Sequence, residues 1–115
     1  MSTLFDVIVT EDNLLVCPTC NETYLHQQNT TIFERHEDEE ITTVIAQNDR
    51  TVQVSDFRSE DTCNPSHRRH GMLIEFKCEH CHNWGADGPS DEYRTPHRLA
   101  IYQHKGNTFM EWQVG

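Results

Sequence analysis

Two cysteine pairs set the chemistry open to this chain. Cys17-Pro18-Thr19-Cys20 and Cys78-Glu79-His80-Cys81 each present two thiols separated by two residues. That spacing lets one tight turn supply two ligands to a tetrahedral ion, and two such turns close a four-sulfur site. Sulfur-only coordination points to zinc. The expected cofactor of Cys17, Cys20, Cys78 and Cys81 is therefore a structural Zn2+, because four sulfurs leave no open position for a reactive water. The residues that follow fit such turns: Asn21 and His82 are types that tolerate left-handed backbone. A redox pair would instead open a helix within a βαβ unit, and no helical periodicity follows either pair.

Other reactive side chains give weaker patterns. A hydrolytic metal centre needs three ligands, a water and a base, and the chain has no HExxH. His80 and His82 lie in or beside the second pair, but His82 adjoins Cys81 and the two cannot both bind without strain. A nuclease of the HNH type also carries two CxxC pairs, and Cys78–Asn83 is superficially similar to the second of them. His36 and Asn64 are the residues such a reading would nominate, yet no Asp-His dyad stands between the pairs. Cys63 is left over, with no neighbour in sequence that would activate it. The chain is not expected to be an enzyme.

Charge narrows the partners. The 115 residues include 9 basic and 19 acidic side chains, for a formal charge of −10. Four thiolates on one divalent ion would add roughly −2. Phosphate backbones are bound by Lys and Arg that release counterions, so this balance opposes direct nucleic-acid binding. It favours a basic protein partner reached by electrostatic steering. Glu34, Glu37, Asp38, Glu39 and Glu40 form the main acidic run and the expected partner-binding residues. On extended backbone, alternate carboxylates would lie about 6.6–7 Å apart along one face, a row able to occupy a channel built for phosphates. The opposing feature is basic: Arg68 and Arg69, within Asn64–Gly71, could serve a nucleic-acid-binding ribbon, with Trp84, Tyr93 or Tyr102 stacking on bases.

The elements that position these groups read as β-rich. Residues 4–10 are a β-branched run, and Asn13–Val16 lead extended into the first pair. Tyr24–His26 and Thr30–Arg35 are two strand candidates, and His36–Glu40 is too acidic to pack inside. Ile41–Ala46 and Thr51–Ser55 flank a turn at Gln47–Arg50. In the second of these runs Val52 and Val54 alternate with polar residues, a half-buried pattern. Met72–Cys78 is the clearest strand, with Met72, Ile74, Phe76 and Cys78 on one face. Asn83–Pro96 is a loop, and Leu99–Tyr102 and Thr108–Trp112 form a hairpin around Lys105-Gly106-Asn107. Helix is limited to a turn or two in 56–70 or 83–95. The expected fold class is small antiparallel sheets around one four-cysteine site, in a single zinc-stabilised domain spanning 1–115. Only 35% of residues are hydrophobic, so the metal must supply folding free energy, on the order of 10 kcal/mol or more for small zinc peptides. Residues 1–12 carry no basic residue and no long apolar run, which suits a soluble cytoplasmic protein.

Taken together, Cys17–Cys20, Tyr24–His26, Phe33–Asp38, Asn64–Gly71, Ile74–Cys81 and Ala100–Trp112 resemble a group of small zinc-ribbon proteins of phages and bacterial mobile elements. The segment Asn83–Pro96 looks longer than that group's link between its second pair and last hairpin. The resemblance implies a phage protein of the host cytoplasm. It suggests an inhibitor, of the anti-CRISPR type, that blocks nucleic-acid loading on a host defence nuclease.

Overall fold

The computed structural model describes residues 3–79 and 97–114. Within them seven strands join one antiparallel sheet rather than several small ones. In chain order these are β1 (Thr3–Phe5), β2 (Leu25–Glu34), β3 (Ile41–Asn48), β4 (Thr51–Arg58), β5 (Gly71–Cys78), β6 (His97–His104) and β7 (Asn107–Val114). Their order across the sheet is β1-β7-β6-β5-β2-β3-β4. A single 3-10 turn, Ser59–Asp61, follows β4.

Turn chemistry fixes both tight hairpins. β3 and β4 close at Asn48 and Thr51 around Asp49, whose φ is 55°. β6 and β7 close at His104 and Asn107 around Lys105 and Gly106, with φ of 50° and 81°. Left-handed turns of this kind match the twist of the strands they join.

The two strand candidates at Tyr24–His26 and Thr30–Arg35 are one ten-residue strand. Between Gln27 and Thr30 the register against β5 shifts, three steps of β2 matching two of β5 from Phe76 to Ile74. The bulge absorbs one residue of a polar stretch, and Leu25 and Ile32 keep the same face. The run at 4–10 is shorter as a strand than its β-branched content suggests. β1 ends at Phe5, and the chain then doubles back on itself through a Val9–Leu15 bridge.

Register and alternation sort the apolar residues onto two faces. One carries Leu25, Cys78, Phe76, His97, Leu99 and Trp112. The Cys17–Cys20 turn meets this face at Cys78, and Trp112 is completely buried. The other face carries Phe33, Leu73 and Ala100, packed with Val44 and Tyr102. The 62–70 loop crosses this face at Gly71, where an added Cβ would collide with Asn64 Oδ1 and press on Pro65. β5 therefore buries both faces, and Leu73 is more enclosed than Met72 or Ile74. The half-buried pattern expected of Val52 and Val54 is not found: all eight residues of β4 are exposed. Alternation specifies a strand, but β4 ends the sheet and no described element lies over it. No helix among the described residues is long and apolar enough to cross a membrane.

Candidate metal centre

The first cysteine pair sits on a turn built by its own backbone. The Cys17 N–H donates to Glu22 O at 2.8 Å, and the Asn21 N–H returns to Cys17 O at 3.0 Å. Asn21 has φ of 65°, the left-handed conformation anticipated for the residue after the pair. The second pair is delivered by the end of β5. Cys78 lies opposite Leu25 of β2, and the Glu79 N–H donates to Tyr24 O at 2.9 Å. The strand ladder thus carries Cys78 to the first turn across 58 residues of sequence.

Cys17, Cys20 and Cys78 meet there with their sulfurs all within 4.8 Å of one another. Cys20 Sγ and Cys78 Sγ are 3.5 Å apart. An ion about 2.3 Å from each tetrahedral sulfur separates the sulfurs by roughly 3.8 Å, whereas a disulfide needs about 2.05 Å. The spacing fits a shared ion. Cys17 and Cys78 are buried and Cys20 is half-buried. Leu25 packs against them. Cys81, His80 and His82 lie outside the described residues, as do Trp84 and Tyr93.

One supporting residue has no signature in the sequence. His97, at the start of β6, is 4% exposed, and its Nε2 lies 2.9 Å from Thr19 Oγ1, between the two ligands of the first pair. Behind it, Trp112 stands edge-on to His97 at 6.4 Å and to Phe76 at 5.6 Å between ring centroids. The Trp112 Nε1 finds no hydrogen-bond partner among the described residues. Pairing of Thr19 with His97 spans 78 residues, so only the assembled sheet reveals it.

The Asn64–Gly71 stretch is a fastening for the opposite face. Asn64 Nδ2 donates to Arg69 O, and its Oδ1 accepts from the Ser66 N–H. The buried Ser66 hydroxyl donates to Gln103 O of β6 at 2.6 Å and accepts from the Arg68 and Arg69 N–H groups. The Gln103 N–H closes the loop on His70 O at 3.0 Å. With both ends of its amide occupied, Asn64 is spent on backbone. His36 and His70 meet edge-on at 6.2 Å, and His70 Nδ1 accepts from the Arg35 N–H.

The acidic run is exposed throughout, and it is not a straight row. Its chain turns at Asp38, with φ of 57°, so Glu37, Glu39 and Glu40 do not follow one extended strand. Arg68 makes a two-pronged pair with Asp38 at 2.8 and 3.0 Å, and the Asp38 N–H donates to Arg68 O. The hydrogen bond from Arg68 holds the Asp38 carboxyl below its ordinary pKa, and Asp38 in turn raises Arg68. Arg35 Nε and Ser59 Oγ both donate to Glu39 O, and the Ser59 N–H donates to Glu40 O. The loop borders a cleft of about 490 Å3 lined by Arg35, Glu39, Glu40, Arg58 and Glu60. Of the two arginines, Arg68 is committed to Asp38, while Arg69 is exposed.

Comparison with protein-family models, with curated proteins and with solved structures gives no significant match.

Proposed function

We propose that this protein is a non-catalytic, zinc-stabilised binding protein whose acidic loop docks on a basic, nucleic-acid-handling surface of another protein. The observation that carries this reading is the acidic loop itself. Glu34, Glu37, Glu39 and Glu40 expose their carboxylates, while the backbone beneath is held by Arg35, Ser59 and Arg68. A charged array already fixed in place loses less conformational freedom on docking. It also attracts a basic partner at long range.

The metal in this reading is a structural Zn2+ on Cys17, Cys20 and Cys78, with Cys81 as the fourth thiolate that the CxxC spacing supplies. The ion would tie the N-terminal turn to β5 and take no part in a reaction. The resemblance to phage and mobile-element zinc ribbons narrows the partner class to a host defence nuclease. The protein would act there as an anti-CRISPR-like inhibitor that keeps nucleic acid from loading.

The alternative, a ribbon that binds nucleic acid through Arg68 and Arg69, is disfavoured by the commitment of Arg68 to Asp38. An HNH-like centre on His36 and Asn64 is disfavoured by the occupied Asn64 amide.

The test is displacement of labelled DNA from purified defence nucleases, read by fluorescence anisotropy. Wild-type protein should lower DNA occupancy of its target. The E37K/E39K/E40K variant, which spares the Asp38–Arg68 pair, should lose that effect with zinc content and melting temperature unchanged. Equal displacement by the two proteins removes the acidic loop from the contact. A salt-sensitive gel shift of bare DNA, lost in R68A/R69A, would favour the ribbon reading.

A further inference from the structure

Among the described residues no strand pairs with the outer edge of β4, and that edge fits a second copy of itself. We propose that β4 of two chains pairs antiparallel about a two-fold axis through Gln53, joining two sheets into one.

Four observations point there. First, β4 ends the sheet and all eight of its residues are exposed, whereas β1 at the other end has only three residues. Second, β3 and β4 run in unbroken register from Ile41–Arg58 to Asn48–Thr51. A two-residue turn makes the closing 48/51 pair hydrogen-bonded. Alternation then turns the N–H and C=O groups of Val52, Val54, Asp56 and Arg58 toward the open edge. Third, of the devices that blunt an edge, Thr51–Arg58 has no Pro, Lys or bulge, and its two charges, Asp56 and Arg58, lie in its last three residues.

Fourth, the strand is self-complementary in one register. A two-fold perpendicular to the sheet keeps each face continuous, so residues of like parity must oppose. Centred on Gln53, Val52 of each copy opposes Val54 of the other, Thr51 opposes Ser55, and Arg50 in the turn opposes Asp56. Each of these contacts occurs twice. Centred on Val54 instead, Arg50 opposes Arg58 and Val52 opposes Asp56. Centred on Ser55, Val52 opposes Arg58 and Val54 opposes Asp56. Only the first register pairs apolar with apolar and opposite charge with opposite charge, the combinations that stabilise cross-strand neighbours.

An apolar row gives the edge something to extend. Val54, Ile45, Ile32, Met72, Ile101 and Met110 oppose one another in turn across β4, β3, β2, β5, β6 and β7. It ends at Val54, 65% exposed. In the proposed dimer it runs on into Val52 of the second copy.

The test is sedimentation of the zinc-loaded full chain from about 1 to 200 µM in about 0.15 M salt, where the Debye length of about 8 Å screens the repulsion of two acidic chains. The expected result is a concentration-dependent species of twice the 13.5 kDa chain mass. V54K should shift the midpoint at least tenfold toward monomer, with zinc content and melting temperature retained. R50D and D56R should each weaken the dimer, and R50D/D56R should restore it. R50D alone, in the turn, reads the same pair if loss of the Thr43–Asp56 hydrogen bond prevents D56R from folding. A chain that stays monomeric throughout leaves β4 to an unlike strand and overturns the proposal. A dimer indifferent to V54K uses another surface and overturns it equally. Failure of the charge swap to restore a dimer that V54K does weaken overturns the register.

Discussion

At the residue scale the molecule separates cysteines by burial. Cys17 and Cys78 are enclosed and share a sulfur cluster with Cys20, whereas Cys63 is exposed. On the proposed zinc site, Cys78→Ser replaces a soft ligand with a hydroxyl that zinc holds poorly and that has lost its place in water. The expected outcome is loss of stoichiometric zinc, by elemental analysis, and destabilisation of about 3 kcal/mol or more. Cys63→Ser should change neither, moving stability by no more than about 0.5 kcal/mol. Asp38 offers a cleaner electrostatic case. Its pKa is lowered from 3.8, first by the Arg68 hydrogen bond. A depressed carboxyl stabilises the fold above its unfolded pKa, and that contribution fades as pH falls through the folded value. Asp38→Asn keeps a residue that accepts the left-handed backbone and removes the charge together with one of the two oxygens that accept from Arg68. The wild-type advantage over D38N in urea unfolding should therefore be constant above about pH 5 and narrow on further acidification. An advantage that grew toward acid would mean that Arg68 is not its source.

At the element scale, local chemistry was legible and placement was not. The hairpin at Lys105-Gly106 could be read from turn residues, and the Cys17 turn from its spacing and Asn21. Val52 and Val54 correctly announced a strand. Their burial depended on whether anything lay over β4, and that was set by pairing with β3 at the end of the sheet. Val52→Thr should accordingly cost under about 0.5 kcal/mol, whereas Leu73→Ala, enclosed between Phe33 and Ala100, should cost about 2–5 kcal/mol. The basic stretch at 64–71 has a structural use that the sequence did not announce. Its residue types suggest a surface for phosphates, yet most of its polar groups fasten a loop across β5 and β6. Gly71→Ala tests this directly, since the new methyl meets Asn64 Oδ1. Overpacking there should cost about 1–3 kcal/mol. Combining it with Asn64→Ala should cost less than the sum of the single changes, because one collision is counted in both. Additive costs in chemical denaturation would show that the two residues are not in contact.

At the scale of the whole molecule, the sheet is seven strands wide, and among the described residues few side chains are fully buried on it. The described core amounts to one patch around Phe33, Leu73 and Ala100 and another around Cys17 and Cys78, on opposite faces. That Cys17, Cys20 and Cys78 would come together in the second patch was foreseeable from the two CxxC pairs. The sequence could not show that His97 and Trp112 would back it, because they come from strands distant in the chain. This backing makes Trp112 a reporter of the proposed metal. Thr19 lies between two sulfur ligands and contacts His97, and His97 and Phe76 both stand edge-on to the indole. Removal of the proposed zinc should free the first turn, and with it the constraint on His97. In a Trp84→Phe background, which leaves Trp112 as the sole tryptophan, chelation should abolish the near-UV signal and the cooperative melt. Much of the far-UV strand signal should persist, the pattern of a collapsed state that has lost specific packing. Added Zn2+ should restore both within the time of mixing and refolding. Complete metal removal with an unchanged indole signal and an unchanged melt would mean that the apolar patches alone fasten this sheet, and that the sulfur cluster is incidental to its stability.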